Sequence, residues 1–290
     1  MKLLAALLAT VSLAAVSAAS PSFAQQAGIV VDAAGSYVVG NSGTIEDRLV
    51  TDPGITDFDI NDFDGGYGTL GLGYRFGNGW DISGRFSATS LNPSTADFFE
   101  PSTGFPFSDK AGEITSDLDF QGLDIEAGYA PVVDDGFDLR VFAGLRGLHY
   151  TNSLNETEDK VGGGFPSEAD FDHEFIGVGP RIGMEFATRL GDSQFGLSGS
   201  FGGAVIFGSE DQTVTLTGPL GSPATTVTSE DKVVVNLDAS LGLDYHLTEQ
   251  ATVTVGYRAE HLSGVNDFSG YASETGQLVH GPFLKLKAAF

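Results

Sequence analysis

The stretch VVVNLDASLGLDY, Val233–Tyr245, decides the fold. Val233, Val235, Leu237, Ala239, Leu241, Leu243 and Tyr245 recur at every second place, and Asn236, Asp238, Ser240, Gly242 and Asp244 stand between them. Successive side chains leave a β-strand on opposite sides, so this period of two makes a strand with one apolar and one polar face. A soluble sheet turns the apolar face to a core and the polar face to water. A membrane barrel turns the apolar face to lipid and the polar face to its lumen.

Outward from this strand the alternation recurs along the chain. It predicts ten strands, near 28–40, 65–76, 80–91, 117–130, 137–150, 172–188, 194–208, 232–246, 250–263 and 278–290. The connections alternate in length. GNG, PVVDDG, LGDS and LTE are short turns; the segments near 41–64, 92–116, 151–171, 209–231 and 264–277 are long, polar and rich in Gly, Pro, Ser and Asp. Short turns on one side and long loops on the other, with an even strand number, describe an all-β, antiparallel up-and-down transmembrane barrel with periplasmic turns and extracellular loops. A secreted β-sandwich would also alternate, but it would not place five wide loops on one side.

Charge assigns the faces. A lipid-facing Arg or Lys at the bilayer midplane costs roughly 2–4 kcal/mol, so the ionised strand residues belong inside. Arg75, Arg85, Asp124, Glu126, Arg140, Arg146, Arg181, Glu185, Asp238, Arg258, Glu260 and Lys285 are the expected lumen charges, with Lys287 beside them. Enclosed there, they need partners, and Arg can hold a carboxylate through two hydrogen bonds. Inward glycines such as Gly177, Gly179, Gly183, Gly196, Gly202 and Gly242 leave two readings open: a thin polar channel, or room for the strands to curve.

The N-terminus begins with Lys2, continues with LLAALLATVSLAAV and ends on small residues at Ser22–Ala24, which reads as a secretory signal peptide over 1–24. The barrel then occupies 25–290. Its apolar run is shorter than the ~20 residues of a spanning helix. The chain has no cysteine, which excludes disulfides and thiolate metal sites. Its 14 Lys and Arg against 39 Asp and Glu give a net charge of -25, which argues against nucleic acid as a partner. The expected partners are outer-membrane lipid and lipopolysaccharide, the barrel-insertion machinery and small solutes. Phe290, an aromatic C-terminal residue, is the expected assembly signal.

Sites of chemistry are sparse. His149, His173, His261 and His280 fall near the expected outer rim, and His261 stands close to Ser263, the ingredients of a lipid-modifying enzyme. No GxSxG elbow accompanies them. Adjacent residues of FDHEF point to opposite faces of a strand, and DFDINDFDG lacks the terminal Glu of a calcium loop. No catalytic residue, metal or cofactor is therefore assigned. An acidic outer mouth would favour cations.

The segment FIGVGPRIGMEFATRLGDSQFGLSGSFGGAVIFG, Phe175–Gly208, resembles the pore-forming outer-membrane protein family related to the Legionella major outer membrane protein. Phe175, Gly177, Gly179, Pro180, Arg181 and Gly183 carry the likeness, and VGYR at Val255–Arg258 and the final Phe290 agree with it. The resemblance implies a porin-like protein of the Gram-negative outer membrane, without catalytic residues. The chain departs from the pattern in lacking cysteine, so the cysteine-linked oligomer the family implies is out of reach. The leading expectation is a narrow pore for small hydrophilic solutes. The alternatives are a closed barrel with a structural or surface-interaction role and, behind it, the lipid-modifying enzyme.

Overall fold

The computed structural model describes residues 27–41, 63–100, 110–134, 136–160, 167–217, 223–265 and 276–290. The signal peptide expected at 1–24 and most of the acidic 41–64 segment lie outside them. The strands are β1 (Gly28–Asn41), β2 (Phe63–Arg75), β3 (Trp80–Leu91), β4 (Ser94–Glu100), β5 (Lys110–Tyr129), β6 (Val132–Asp134), β7 (Phe137–Lys160), β8 (Ser167–Arg189), β9 (Phe195–Thr217), β10 (Pro223–His246), β11 (Ala251–Ser263) and β12 (Gln277–Ala289). All of their pairings are antiparallel. Ten of these strands run up and down in the order β1-β2-β3-β5-β7-β8-β9-β10-β11-β12, and β12 returns to β1, with Val30 opposite Ala289 and Asn41 opposite Leu278. The ten-stranded barrel expected from the alternation is the fold. Closure removes the sheet edges that a membrane cannot solvate.

The wall follows from the period-two pattern. Ile176, Val178, Ile182 and Met184 on β8 point outward, as do Phe201 and Phe207 on β9 and Leu241 and Leu243 on β10. The outward apolar run Ile176–Phe186 covers about 24 Å of bilayer at a rise of 3.3 Å per residue and a tilt near 45°. Aromatic side chains gather at its lower rim. Trp80 and Tyr129 lie with ring centroids 5.1 Å apart, Phe195 and Tyr245 5.4 Å apart. The periplasmic turns close on Gly79, Gly136 and Gly191, all at positive φ, where a Cβ is strained.

Above the apolar band the structure differs from the loop reading. Segments expected as long loops continue as strand: β5 starts at Lys110, β7 runs on to Lys160, and β8, β9 and β10 extend through 167–171, 209–217 and 223–231. With β4 they form a sheet standing above the barrel, in which Ser94–Glu100 pairs with Lys110–Ser116 and Pro223–Val234 pairs with β9. Thr213, Thr215, Thr225, Thr226 and Thr228 explain the extension. β-branched residues favour extended backbone, and a wall surrounded by water needs no apolar outer face.

Candidate functional site

The lumen is the site, and it has three layers. The middle layer is ionic. Arg146 on β7 holds Asp124 of β5 through two hydrogen bonds, 2.6 Å from Nε and 2.7 Å from Nη2. It also donates to Asn236, which in turn donates to Glu260 at 3.0 Å. Arg181 on β8 reaches across to Asp238 on β10 through both terminal nitrogens, and its Nε lies 3.1 Å from Glu126. Arg140 grips Asp81 at 2.8–2.9 Å and touches Glu126 at 3.4 Å. Arg258 donates to Glu260 at 2.6 Å, and its guanidinium lies 3.3 Å from the centroid of the Tyr67 ring. Arg85 sits more loosely, 3.4 Å from Glu185 and 3.7 Å from Asp32. Chained pairs of this kind suit a low-dielectric interior, where each charge must be matched.

The inward glycines make room for these groups. A Cβ on Gly202 would come within 2.6 Å of Arg181 Nη2 and 2.8 Å of Asp238 Oδ2, and one on Gly183 would strike the Phe142 ring. The space beside Gly183 and Gly202 is occupied by side chains.

The outer layer is apolar, a feature the alternation did not reveal. Val38, Phe63, Tyr67, Leu91, Leu118, Phe120, Leu148, Tyr150, Phe175, Ala204, Ile206, Val234, Leu262 and Val279 form one packed cluster, to which all ten barrel strands contribute. Every one of them points into the lumen, and none is more than 9% exposed. A water-filled passage at this level would wet some of them. The signal was in the sequence as runs that break the alternation: VVV at 233–235 and AVIF at 204–207 put apolar residues on both faces. At the upper border of this layer a buried polar knot ties three strands. His173 donates to Glu210, and Lys232 Nζ lies 2.7 and 2.8 Å from the same carboxylate. Burial pushes the Glu210 carboxyl up, but the hydrogen bonds from His173 and Lys232 outweigh it and hold it below its ordinary value.

The inner layer is a vestibule of about 250 Å³ at the periplasmic end. Six cations line it, Arg75, Arg85, Arg140, Arg258, Lys285 and Lys287, and so do five carboxylates, Asp32, Asp138, Glu185, Asp238 and Asp244. The structure thus sets all twelve sequence-assigned charges inside the barrel, ten in the ionic network and Arg75 and Lys285 in the vestibule. Phe290 is outside, 60% exposed, and exchanges backbone hydrogen bonds of 2.8 and 3.0 Å with Ile29. The rim histidines fall in two places, His149 and His173 on the paired strands β7 and β8, His261 and His280 on the paired strands β11 and β12. His149 pairs with Glu174 at 2.8 Å, Tyr257 meets His280, and Ser263 donates to the Val235 carbonyl at 3.4 Å.

A closed antiparallel barrel with a lipid-facing apolar band and an ionised interior defines an outer-membrane β-barrel protein of a Gram-negative bacterium. The chain belongs to the Legionella pneumophila major outer membrane protein family, whose model matches residues 25–290. Comparison with curated proteins gives no match. Among solved structures it is similar to the outer membrane protease OmpT from Escherichia coli, at 12% identity and a TM-score of 0.57, covering 93% of this chain and 99% of that one. The toluene transporter TodX from P. putida also matches, at 10% identity and a TM-score of 0.40, over 91% of this chain and 90% of that one. So does Neisserial surface protein A, at 11% identity and a TM-score of 0.35, over 91% and 97%. At these identities the likeness to OmpT speaks for the fold alone.

Proposed function

We propose that this barrel is a closed, non-conducting outer-membrane protein that holds an extended sheet above the membrane as a surface for interaction. The observation that carries this reading is the dry apolar layer. Each large apolar side chain in it is worth ~1.5–3 kcal/mol when buried, so exposing several of them to open a water path costs on the order of 10 kcal/mol. Spontaneous opening is then too rare for a working pore. Above the layer, Pro223–Asp231 is exposed along its length, and among the described residues its pairing is to β9 alone. We read the chain as non-enzymatic, because Ser263 is engaged with the Val235 carbonyl, His149 with Glu174 and His280 with Tyr257. Lipopolysaccharide and the insertion machinery are its expected partners at the outward band and at Phe290.

The narrow-pore reading draws support from the vestibule, which is lined by many charged groups at the periplasmic end of the lumen, and from the family resemblance. In that case the apolar layer would be a closed gate. Planar-bilayer recording separates the two. Purified wild-type protein is expected to insert without discrete current steps; steady single-channel steps would overturn the closed reading and establish the pore.

A further inference from the structure

We propose that the periplasmic vestibule is a binding site for a small, doubly charged oxyanion of the phosphate class, held by Lys285 and Lys287. This goes beyond the closed-barrel reading and does not depend on it. The two lysines stand on one face of β12, two residues apart, so their stems start about 6.6 Å apart. Both line the vestibule and both are half-buried. Neither makes a hydrogen bond or an ion pair with the described residues. That sets them apart from Arg85, Arg140, Arg146, Arg181 and Arg258, each of which holds a carboxylate.

The neighbourhood explains why they are left over. Asp32 is the direct cross-strand partner of Lys287, yet its carboxylate lies toward Arg85. Glu185 is within electrostatic reach of both lysines, but it accepts its hydrogen bond from Arg85, and Arg140 stands 3.5 Å from it. On the other flank Lys285 faces Thr254 and Lys287 faces Thr252, whose hydroxyls already bind Asp244 and His246. Guanidinium groups take carboxylates with two parallel hydrogen bonds and outcompete ammonium groups for them. Two like charges on one strand face then repel each other across a confined space. Glu185 and Asp32 offset part of that repulsion, and a bound anion would offset more of it. A divalent oxyanion bridges both ammonium groups, whereas a halide meets one. The cavity, about 250 Å³, fits an anion of this size with its water and is too small for a lipid headgroup with its chains.

The test is calorimetric titration of the refolded full chain in detergent micelles with inorganic phosphate, at low ionic strength in an amine buffer, with sodium chloride as the monovalent control. One site is expected, with chloride much weaker. K285Q/K287Q should weaken phosphate binding about tenfold or more, as expected for losing two charge-assisted hydrogen bonds. K287Q alone gives the smaller loss and serves should the double variant fail to assemble. Unchanged phosphate affinity in these variants, or no heat of binding in the wild type up to about 10 mM, would overturn the site.

Discussion

Arg146 and Asp124 show how much of this interior depends on single residues. Asp124 is 1% exposed and takes both of its hydrogen bonds from the one guanidinium. R146M removes the hydrogen-bonding partner and leaves a buried carboxylate with Arg181 3.8 Å away, which costs about 3–5 kcal/mol. D124L/R146M removes the charge as well and is expected to recover most of that loss, because an apolar pair of similar size replaces an ion pair at little net cost. Urea midpoints of the refolded barrels measure both. G202A places a Cβ 2.6 Å from Arg181 Nη2 and should cost about 1–3 kcal/mol by forcing that pair apart. The inward direction of these residues was legible in the sequence, since lipid strongly rejects charge and the period of two leaves one other side. Their pairing was not. Arg181 on β8 finds Asp238 on β10, and Arg146 on β7 meets Asn236 on β10, through a curvature and stagger that no single strand encodes.

At the scale of elements, the barrel strands were legible and the sheet above them was not. Within the bilayer each strand must alternate sharply. Outside it both faces can be polar, so TVTLT at Thr213–Thr217 and TTVT at Thr225–Thr228 read as loop although they extend β9 and β10. Three of these extended strands are tied by Glu210 to His173 and Lys232. Because the folded Glu210 carboxyl is held below its ordinary value, its contribution is present above the unfolded carboxylate pKa of about 4.3 and is lost as pH falls through the lower folded value. E210Q lacks that contribution at neutral pH. The thermal midpoint by circular dichroism should therefore be lower for E210Q than for the wild type at pH 7, and the gap should shrink on acidification below the carboxylate range. A gap that stays constant with pH would mean that Glu210 acts by packing rather than by charge.

For the whole molecule, the two halves of the lumen obey different rules, and this limits what a barrel pattern can reveal about conduction. Alternation with charged inward residues describes the periplasmic half. In the outer half Leu, Ile, Val, Phe and Tyr fill many inward positions, with Thr89, Asn152 and Gln277 buried among them, and the barrel there is packed like the core of a soluble protein. If that layer alone blocks the path, thinning it should create conductance where the wild type has none. Phe120 and Phe175 are suitable, being 4% and 0% exposed and on neither side of an ion pair. F120S/F175S removes two rings and costs about 3–5 kcal/mol for each. The closed ladder of backbone hydrogen bonds is untouched, so folded barrels should still be recovered, as judged by heat-modifiable migration. Such barrels should show discrete current steps in planar bilayers. Their reversal potential should favour cations, because Asp172, Glu174, Asp211, Glu230 and Asp231 crowd the outer sheet and concentrate cations at the mouth. Silence of the folded double variant would place the block in the ionic layer beneath, where Arg146, Arg181, Asp124 and Glu126 would then be the seal.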